Sequence, residues 1–528
     1  MAGLAICLSC RSLEPTTPPP TTADTPVVRP PATWGQLQPG PFAVGFRQLA
    51  FDDPSRTYRL HSEPHEHPRP VVAGVWYPAA AQTGDPLVLG DYFTLQLEDP
   101  ARADFASVIS GYLYAMMVEE ALGQLPGLLS PDEQATLERV LATPTFARRR
   151  AHSAVSTAPM LLAHPGLGGV YADGMVLFEY LASRGWVVVA GLVQQSDGNW
   201  LNVGWDPVTS VRDLKLLRER APAALGIEPT GLAMLGHSYG AQAALIYTAM
   251  FDDVDAVVSL DSTMDGRDAA QRWWASEDNA PWLDHGSDID VPALLLASAG
   301  RGRNYFDTLA AVPREYIAVE GLEHNDFEGL GGVLRPMLGA CPPTNDCALL
   351  HQRYQAIVTL TADFLDTSVR PTASAPAQDQ AATQDLAALG FTRTRVLEPA
   401  TRTTPPAPFP ALEPTEPDCR STDSCAPDDR IVAHATELLA LGRIAEAEAM
   451  VEAARARAPQ SPDLMEMHAQ LLLQQGRHGE AADVYEDERK MLAASKERSD
   501  YLDYRQDQAK QRSERARALA STAPPSDQ

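Results

Sequence analysis

Six short runs of aliphatic and β-branched residues punctuate the middle of the chain, at 158–163, 186–193, 231–235, 256–260, 292–297 and 315–319. Each is shorter than a buried helix, and turn-forming residues lie between them, which reads as strands buried on both faces. Between several of them lie amphipathic stretches of helical length, such as 172–183 and 208–219. Buried strands alternating with helices predict an α/β fold with a doubly wound, mostly parallel sheet. In such a sheet the loops at the C-terminal ends of the strands carry the functional groups.

The pattern changes beyond residue 370. Residues 371–385 are largely Ala, Gln, Thr and Asp, and a Pro-rich stretch runs over 398–417, with a short apolar island at 386–397 between them. The whole of 371–428 reads as linker. Past it, 434–459 and 468–493 repeat with a 34-residue period. His434, Ala435, Leu438, Leu439, Gly442, Arg443, Glu446 and Ala447 recur as His468, Ala469, Leu472, Leu473, Gly476, Arg477, Glu480 and Ala481. Period and small-residue positions resemble the tetratricopeptide repeat, a pair of antiparallel helices that binds partners and does no chemistry. In the second copy Glu488 and Ala493 replace Ala454 and Pro459, and a charged helix follows. Two copies are fewer than the roughly three that bury a core alone, so the 429–520 module is expected to pack on something else.

Residues 1–33 begin with the apolar MAGLAICLSC and continue as a Thr/Pro-rich tether. This resembles the end of a bacterial lipoprotein signal with Cys10 as the acylated residue, although no basic residue precedes the apolar stretch and Cys7 stands where an aliphatic one is usual. Four further cysteines form two C-x5-C pairs, Cys341/Cys347 and Cys419/Cys425, among turn-forming residues. Two local disulfides are expected, which favours an exported protein, periplasmic or membrane-anchored, over a cytoplasmic one. The chain has 42 Lys+Arg against 69 Asp+Glu, a net charge of −27, which argues against nucleic acid as the main partner. No apolar run is long enough for a transmembrane helix. With 45% hydrophobic residues, 34–370 has the material for a full core, into which 83–150 is a long, partly helical insertion, a candidate lid or pocket wall.

Candidate chemistry lies in the strand-end loops. After 231–235 comes GHSYG, a G-x-S-x-G with a strand before and a helix after, which lifts Ser238 clear of the sheet. A serine hydroxyl needs a base, and His324 in EGLEHNDF follows the last strand. Asp261 ends the strand 256–260 where a carboxylate can reach that histidine; Asp307, Asp265 and Asp326 are the competing acids. Backbone N–H groups for an oxyanion would come from Tyr239, directly after the serine, and from Leu167 in the glycine-rich HPGLGG after the first strand. That loop lacks G-x-G-x-x-G, so dinucleotide binding is not expected. HSEPHEH at 61–67 has metal-ligand spacing but reads as a solvated loop. Trp200, Trp205, Trp273, Trp274 and Trp282 are candidates for an acyl pocket or ordinary packing, and Arg301 and Arg303 for an anionic substrate group or, as is usual for exposed arginines, for solvent alone.

In order, GVWYPA at 74–79, AHPGLGG, GHSYGA, SLDSTM and EHNDF resemble α/β-hydrolases of the platelet-activating-factor acetylhydrolase and dienelactone-hydrolase-like type over roughly residues 40–367. The resemblance implies Ser238, Asp261 and His324 as the triad, the acid after the sixth strand, with Leu167 and Tyr239 as backbone oxyanion donors. The expected activity is a serine esterase acting on small-molecule or lipid esters through an acyl-enzyme, with no cofactor or metal. The alternatives are an inactive hydrolase-fold scaffold or receptor lipoprotein that binds a protein partner through the repeats, and an amide or peptide hydrolase using the same three groups.

Overall fold

A computed structural model describes residues 30–522 apart from 64, 82, 193–206, 266–284, 304, 310–312, 343–345, 371–384, 397–426 and 495–499. Cys7, Cys10, Cys419, Cys425 and the five candidate pocket tryptophans lie outside the described residues. The first half comprises β1 (Ala43–Tyr58), β2 (His67–Ala79), β3 (Asp85–Val88), α1 (Ala103–Leu122), α2 (Pro131–Leu141), β4 (Pro144–Arg149), β5 (Thr157–His164), α3 (Met175–Ser183), β6 (Val187–Gly191) and α4 (Pro207–Leu225). There follow β7 (Glu228–His237), α5 (Tyr239–Met250), β8 (Ala256–Leu260), β9 (Ala293–Ser298), β10 (Arg314–Val319), α6 (Cys347–Val369) and β11 (Phe391–Val396). The helices α7 (Pro427–Ala440), α8 (Ile444–Arg457), α9 (Pro462–Gln474), α10 (His478–Ala494) and α11 (Asp500–Thr522) complete the chain.

All strands join one sheet in the order β11-β10-β9-β8-β7-β5-β6-β2-β1-β4-β3. From β6 to β10 neighbours are parallel, and β2 enters antiparallel to β6. This is the mostly parallel, doubly wound α/β sheet expected from the sequence. The central strands are buried on both faces, so their side chains feed two cores alternately: Ala233 and Leu235 of β7 point to one, Leu232 and Met234 to the other. Helices α3 and α6 cover the first face, and α4 and α5 the second. Helix α5 approaches closely because Ala241, Ala243 and Ala244 are small and fully buried.

The apolar island at 386–397, read above as linker, corrects that reading. Phe391–Val396 pairs antiparallel with β10 and forms the sheet's edge, so the sheet extends past residue 370. An edge strand is half solvated: Phe391 is buried, while Arg393 and Arg395 reach back to Glu315 at 3.0 and 2.9 Å, so the run lacks the continuous apolar pattern of the inner strands. The Cys341/Cys347 pair forms a disulfide, as its spacing predicts.

The 83–150 insertion is built into the fold: β4 pairs with β1, β3 with β4, and α1 lies against α7, the first helix of the repeats. Helix α1 buries Phe105, Val108, Ile109, Tyr112, Leu113, Met117 and Val118 against its neighbours, while Asp104, Ser107 and Gly111 stay exposed. One neighbour is the repeat module. Ala440 and Leu441 pack against the main core, and a Cβ at Gly111 of α1 would lie 3.0 Å from that of Ala440. Leu128, in the turn after α1, is buried with Leu472, Leu473, Tyr485 and Ala516. Polar contacts follow the same seam: Glu437 accepts from the Ser62 N–H at 3.1 Å and meets His61 at 3.0 Å, and Arg515 Nε donates to the Leu128 carbonyl at 3.1 Å. The expectation that two repeats need a surface to pack on is met within the chain.

Candidate active site

Strand β7 ends and α5 begins without a connecting loop, so the chain turns at Ser238, whose φ of 54° lies in the left-handed region. A non-glycine residue there costs about 1–3 kcal/mol, a strain that recurs at functional sites. The turn is possible because its flanks are glycine: a Cβ at Gly236 would lie 2.1 Å from the Gly240 carbonyl oxygen, and one at Gly240 would lie 2.1 Å from that of His164. Side chains at both places would collide with backbone. The Ser238 N–H is fixed by the Leu260 carbonyl of the next strand at 2.9 Å.

The structure brings Ser238, His324 and Asp261 together. His324 Nε2 lies 2.7 Å from Ser238 Oγ, and its Nδ1 lies 2.5 Å from Asp261 Oδ2. Asp261 leaves β8 with a φ of 43° and is fully buried. Its Oδ1 accepts from the Ser298 N–H at 2.7 Å and the Ser298 hydroxyl at 2.9 Å, and Arg301 donates to Oδ2 at 2.6 Å. Burial alone would push the Asp261 carboxyl up; the His324 hydrogen bond, the Arg301 charge and the Ser298 amide outweigh it and hold the group below the usual carboxylate range. His324 is pushed below the usual imidazole value, first by burial and then by the charges of His237 and Arg301, against the pull of Asp261. The imidazole is therefore neutral near pH 7, as an acceptor of the serine proton must be.

The competing acids lie elsewhere. Asp307 pairs with Arg303 at 3.5 Å on the half-exposed surface. Asp326 is buried beneath the histidine turn, where it caps the Glu323 N–H at 2.8 Å and holds Arg335 at 2.9 Å. Asp265 closes a short turn after Asp261. Arg301, a candidate for binding a substrate anion, is committed to Asp261 and lies 3.2 Å from His324 Nδ1. Of the proposed oxyanion donors, Tyr239 is the first residue of α5, among the N–H groups that a helix leaves without internal acceptors. Leu167 lies in the loop after β5, its side chain facing outward, and a Cβ at neighbouring Gly166 would approach that of Ser238 to 3.4 Å.

Sequence reasoning passed over the layer behind these groups. His237, within the elbow beside Ser238, is buried against His324 with ring centroids 4.6 Å apart, and its Nε2 lies 2.9 Å from the His324 carbonyl oxygen. Glu328 Oε1 lies 2.9 Å from His237 Nδ1, off the line of the ring N–H. Burial opposes charge on His237, but Glu328 and then Asp261 outweigh it and raise its pKa. Asp173 ties down the end of the Leu167 loop by accepting from the Val170 N–H at 2.8 Å; its burial, with Glu328 and Glu120 near, pushes its carboxyl well up. No local spacing pattern marks these residues. They meet only because the end of β7 and the segments after β5 and β10 converge.

The described part of the HSEPHEH segment leaves His65, Glu66 and His67 exposed, while His61 turns to the repeats. Among the described residues one group has metal-ligand spacing, Glu448, Glu452 and His468, and Arg455 already contacts that histidine. A guanidinium there opposes a second cation.

Residues 432–494 match the tetratricopeptide repeat family. No curated protein matches the chain. Among solved structures the chain is similar to a ferulic acid esterase from Streptomyces cinnamoneus, at 19% identity and a TM-score of 0.42, over 67% of this chain and 96% of that one. The C-terminal module is thus a pair of tetratricopeptide repeats, seated on an α/β fold that carries a Ser–His–Asp constellation at the ends of its central strands.

Proposed function

We propose that the chain is a serine hydrolase that cleaves carboxylic esters, with Ser238 as nucleophile, His324 as base and acid, and Asp261 as the group that orients the imidazole. The observation that carries this reading is the unbroken line Ser238 Oγ, His324 and Asp261, with contacts of 2.7 and 2.5 Å, at a strained strand-to-helix turn. As Oγ attacks the acyl carbon, its proton passes to His324 Nε2 and the carbonyl oxygen becomes an oxyanion. Asp261 stabilises the imidazolium, and the N–H groups of Tyr239 and Leu167, with the N-terminal end of α5, receive the oxyanion. Collapse of the intermediate breaks the ester bond. The leaving alkoxide takes the proton from Nε2 and departs as alcohol, leaving Ser238 acylated. Water then enters by the same steps in reverse roles, giving the free acid and restoring the serine.

No step calls on a cofactor. The Cys341–Cys347 disulfide supports export to an oxidising compartment, the setting proposed for this activity. The test is hydrolysis of p-nitrophenyl esters of increasing acyl length, wild type beside Ser238→Ala. Turnover by the wild type alone, and labelling of Ser238 by a fluorophosphonate, is the expected result. A folded wild type that neither labels nor turns over any chain length would overturn the proposal in favour of a scaffold. Labelling with turnover confined to amides would move the scissile bond while keeping the triad.

A further inference from the structure

Helix α1 stands between the repeats and the candidate site; it touches the loop after β5 directly and reaches the histidine turn through Arg335. Toward the site, Tyr112 Oη donates to the carbonyl of Gly168 at 2.7 Å, a buried contact on the residue after the proposed donor Leu167. Gly168 itself has a φ of +75°, and the loop closes on itself through the Gly169 N–H to the Gly166 carbonyl at 2.9 Å. Near the C-terminal end of α1, the Glu120 carbonyl accepts from Arg335 at 2.9 Å, and the same guanidinium holds Asp326 in the histidine turn at 2.9 Å. Toward the repeats, α1 meets Ala440 at Gly111, and Glu119 lies 3.5 Å from Arg512 of α11.

We infer that the repeats work in cis as a strut: they fix α1, and α1 fixes the oxyanion loop through the hydroxyl of Tyr112, which makes Tyr112 a positioning residue for the proposed hydrolysis. The inference rests on the serine-hydrolase reading for its kinetic consequence, but not for its structural one. A backbone N–H stabilises an oxyanion only when it is aimed at the place where charge develops, and that aim is set by the peptides on either side. HPGLGG contains three glycines, so its own backbone preferences are weak. An outside hydrogen bond to the Gly168 carbonyl supplies the constraint that the sequence of the loop lacks. The module that seats α1 buries its own incomplete repeat core in doing so. On this account its surface partner is a segment of its own chain.

The test compares full-length wild type, Tyr112→Phe and Ala440→Arg by amide hydrogen exchange and by ester turnover. Tyr112→Phe removes one hydroxyl and keeps the ring, so the fold is retained. It is expected to speed exchange at Gly169 and Val170, to lower kcat about threefold to tenfold, and to leave KM within about twofold, since the loop acts on the transition state. Ala440→Arg forces a large side chain into the seam at Gly111. It is expected to speed exchange at the same two amides while those of β9, far from the seam, stay as protected as in wild type. A purely structural role for the seam would loosen α7 and leave Gly169 and Val170 unchanged. That result, or unchanged exchange in Tyr112→Phe, overturns the inference. A wild type without Ser238-dependent turnover would defeat the hydrolase reading instead, and the exchange measurements would still decide whether α1 holds the loop.

Discussion

Replacing Asp261 by Asn separates the two candidate positions for the acid of the proposed triad, Asp261 after β8 and Asp307 after β9. The substitution is nearly isosteric, and Asn tolerates the positive φ of 43° at this position better than most residues. Oδ1 must go on accepting from the Ser298 N–H, which fixes the amide: its NH2 then faces His324 Nδ1 and Arg301. An NH2 in that place donates to Nδ1, so the neutral imidazole carries its proton on Nε2. Nε2 is the atom 2.7 Å from Ser238 Oγ, and once protonated it cannot take the serine proton. Loss of the correct tautomer and of the counter-charge to the imidazolium should lower kcat about 10³- to 10⁴-fold, roughly 4–5 kcal/mol of barrier. The stability cost is smaller. Arg301 loses its carboxylate but is itself partly exposed, so a penalty of about 1–3 kcal/mol is expected, which leaves a protein of ordinary stability folded. Asp307→Asn, on the half-exposed surface beside Arg303, should change kcat by less than about twofold. The assay is ester turnover at saturating substrate, with near-ultraviolet circular dichroism to establish native packing. If Asp261→Asn kept more than a tenth of wild-type turnover, or if Asp307→Asn were the crippled variant, the assignment of the acid to β8 would be refuted.

Two further outcomes follow from the same surroundings. Because burial, His237 and Arg301 all hold His324 below the ordinary imidazole value, the acid limb of kcat/KM should fall at a pH below that value; Arg301→Met removes one positive charge, raises the His324 pKa and should shift the limb to higher pH, and a shift to lower pH would show the sign to be wrong. Cys341 and Cys347 should resist alkylation until the protein is reduced, and their reduction should cost about 2 kcal/mol for so short a loop, measured by chemical denaturation; alkylation of both before reduction would refute the bridge.

The parts of the site legible in the sequence are those whose chemistry demands a local pattern. Gly236 and Gly240 flank Ser238 because no side chain fits there, and that requirement is visible as a spacing. His324 and Asp261 are legible by position, after β10 and β8, where the fold brings them beside Ser238. The strands themselves were legible because burial on both faces makes them continuously apolar. Strand β11 was missed for the converse reason: its Thr and Arg residues satisfy solvent and Glu315 rather than a core. The role of Arg301 is not legible, because a lone arginine in a loop carries no sign of its partner. Only the fold shows that its guanidinium is already committed to Asp261 at 2.6 Å.

The insertion and the repeats were each unexplained when read alone, and each accounts for the other. Helix α1 exposes Asp104, Ser107 and Gly111 near its start but buries Leu113, Met117, Val118 and Ala121 further on, and that second half needs a cover that the insertion alone does not supply. A two-copy repeat has an open end and an open inner surface, which a sequence pattern registers only as a missing third copy. Placed together, Leu128 enters the cluster of Leu472, Leu473 and Tyr485, and Ala440 closes on Gly111, so the surplus on one side fills the deficit on the other. Covering a buried Leu contributes about 1.5–3 kcal/mol, so a seam of this kind is held mainly by its apolar members, with the ion pairs fixing register. The expectation that such repeats recruit another protein loses its necessity here. The surface they need is α1, and through Tyr112 that surface reaches the loop where an oxyanion would form.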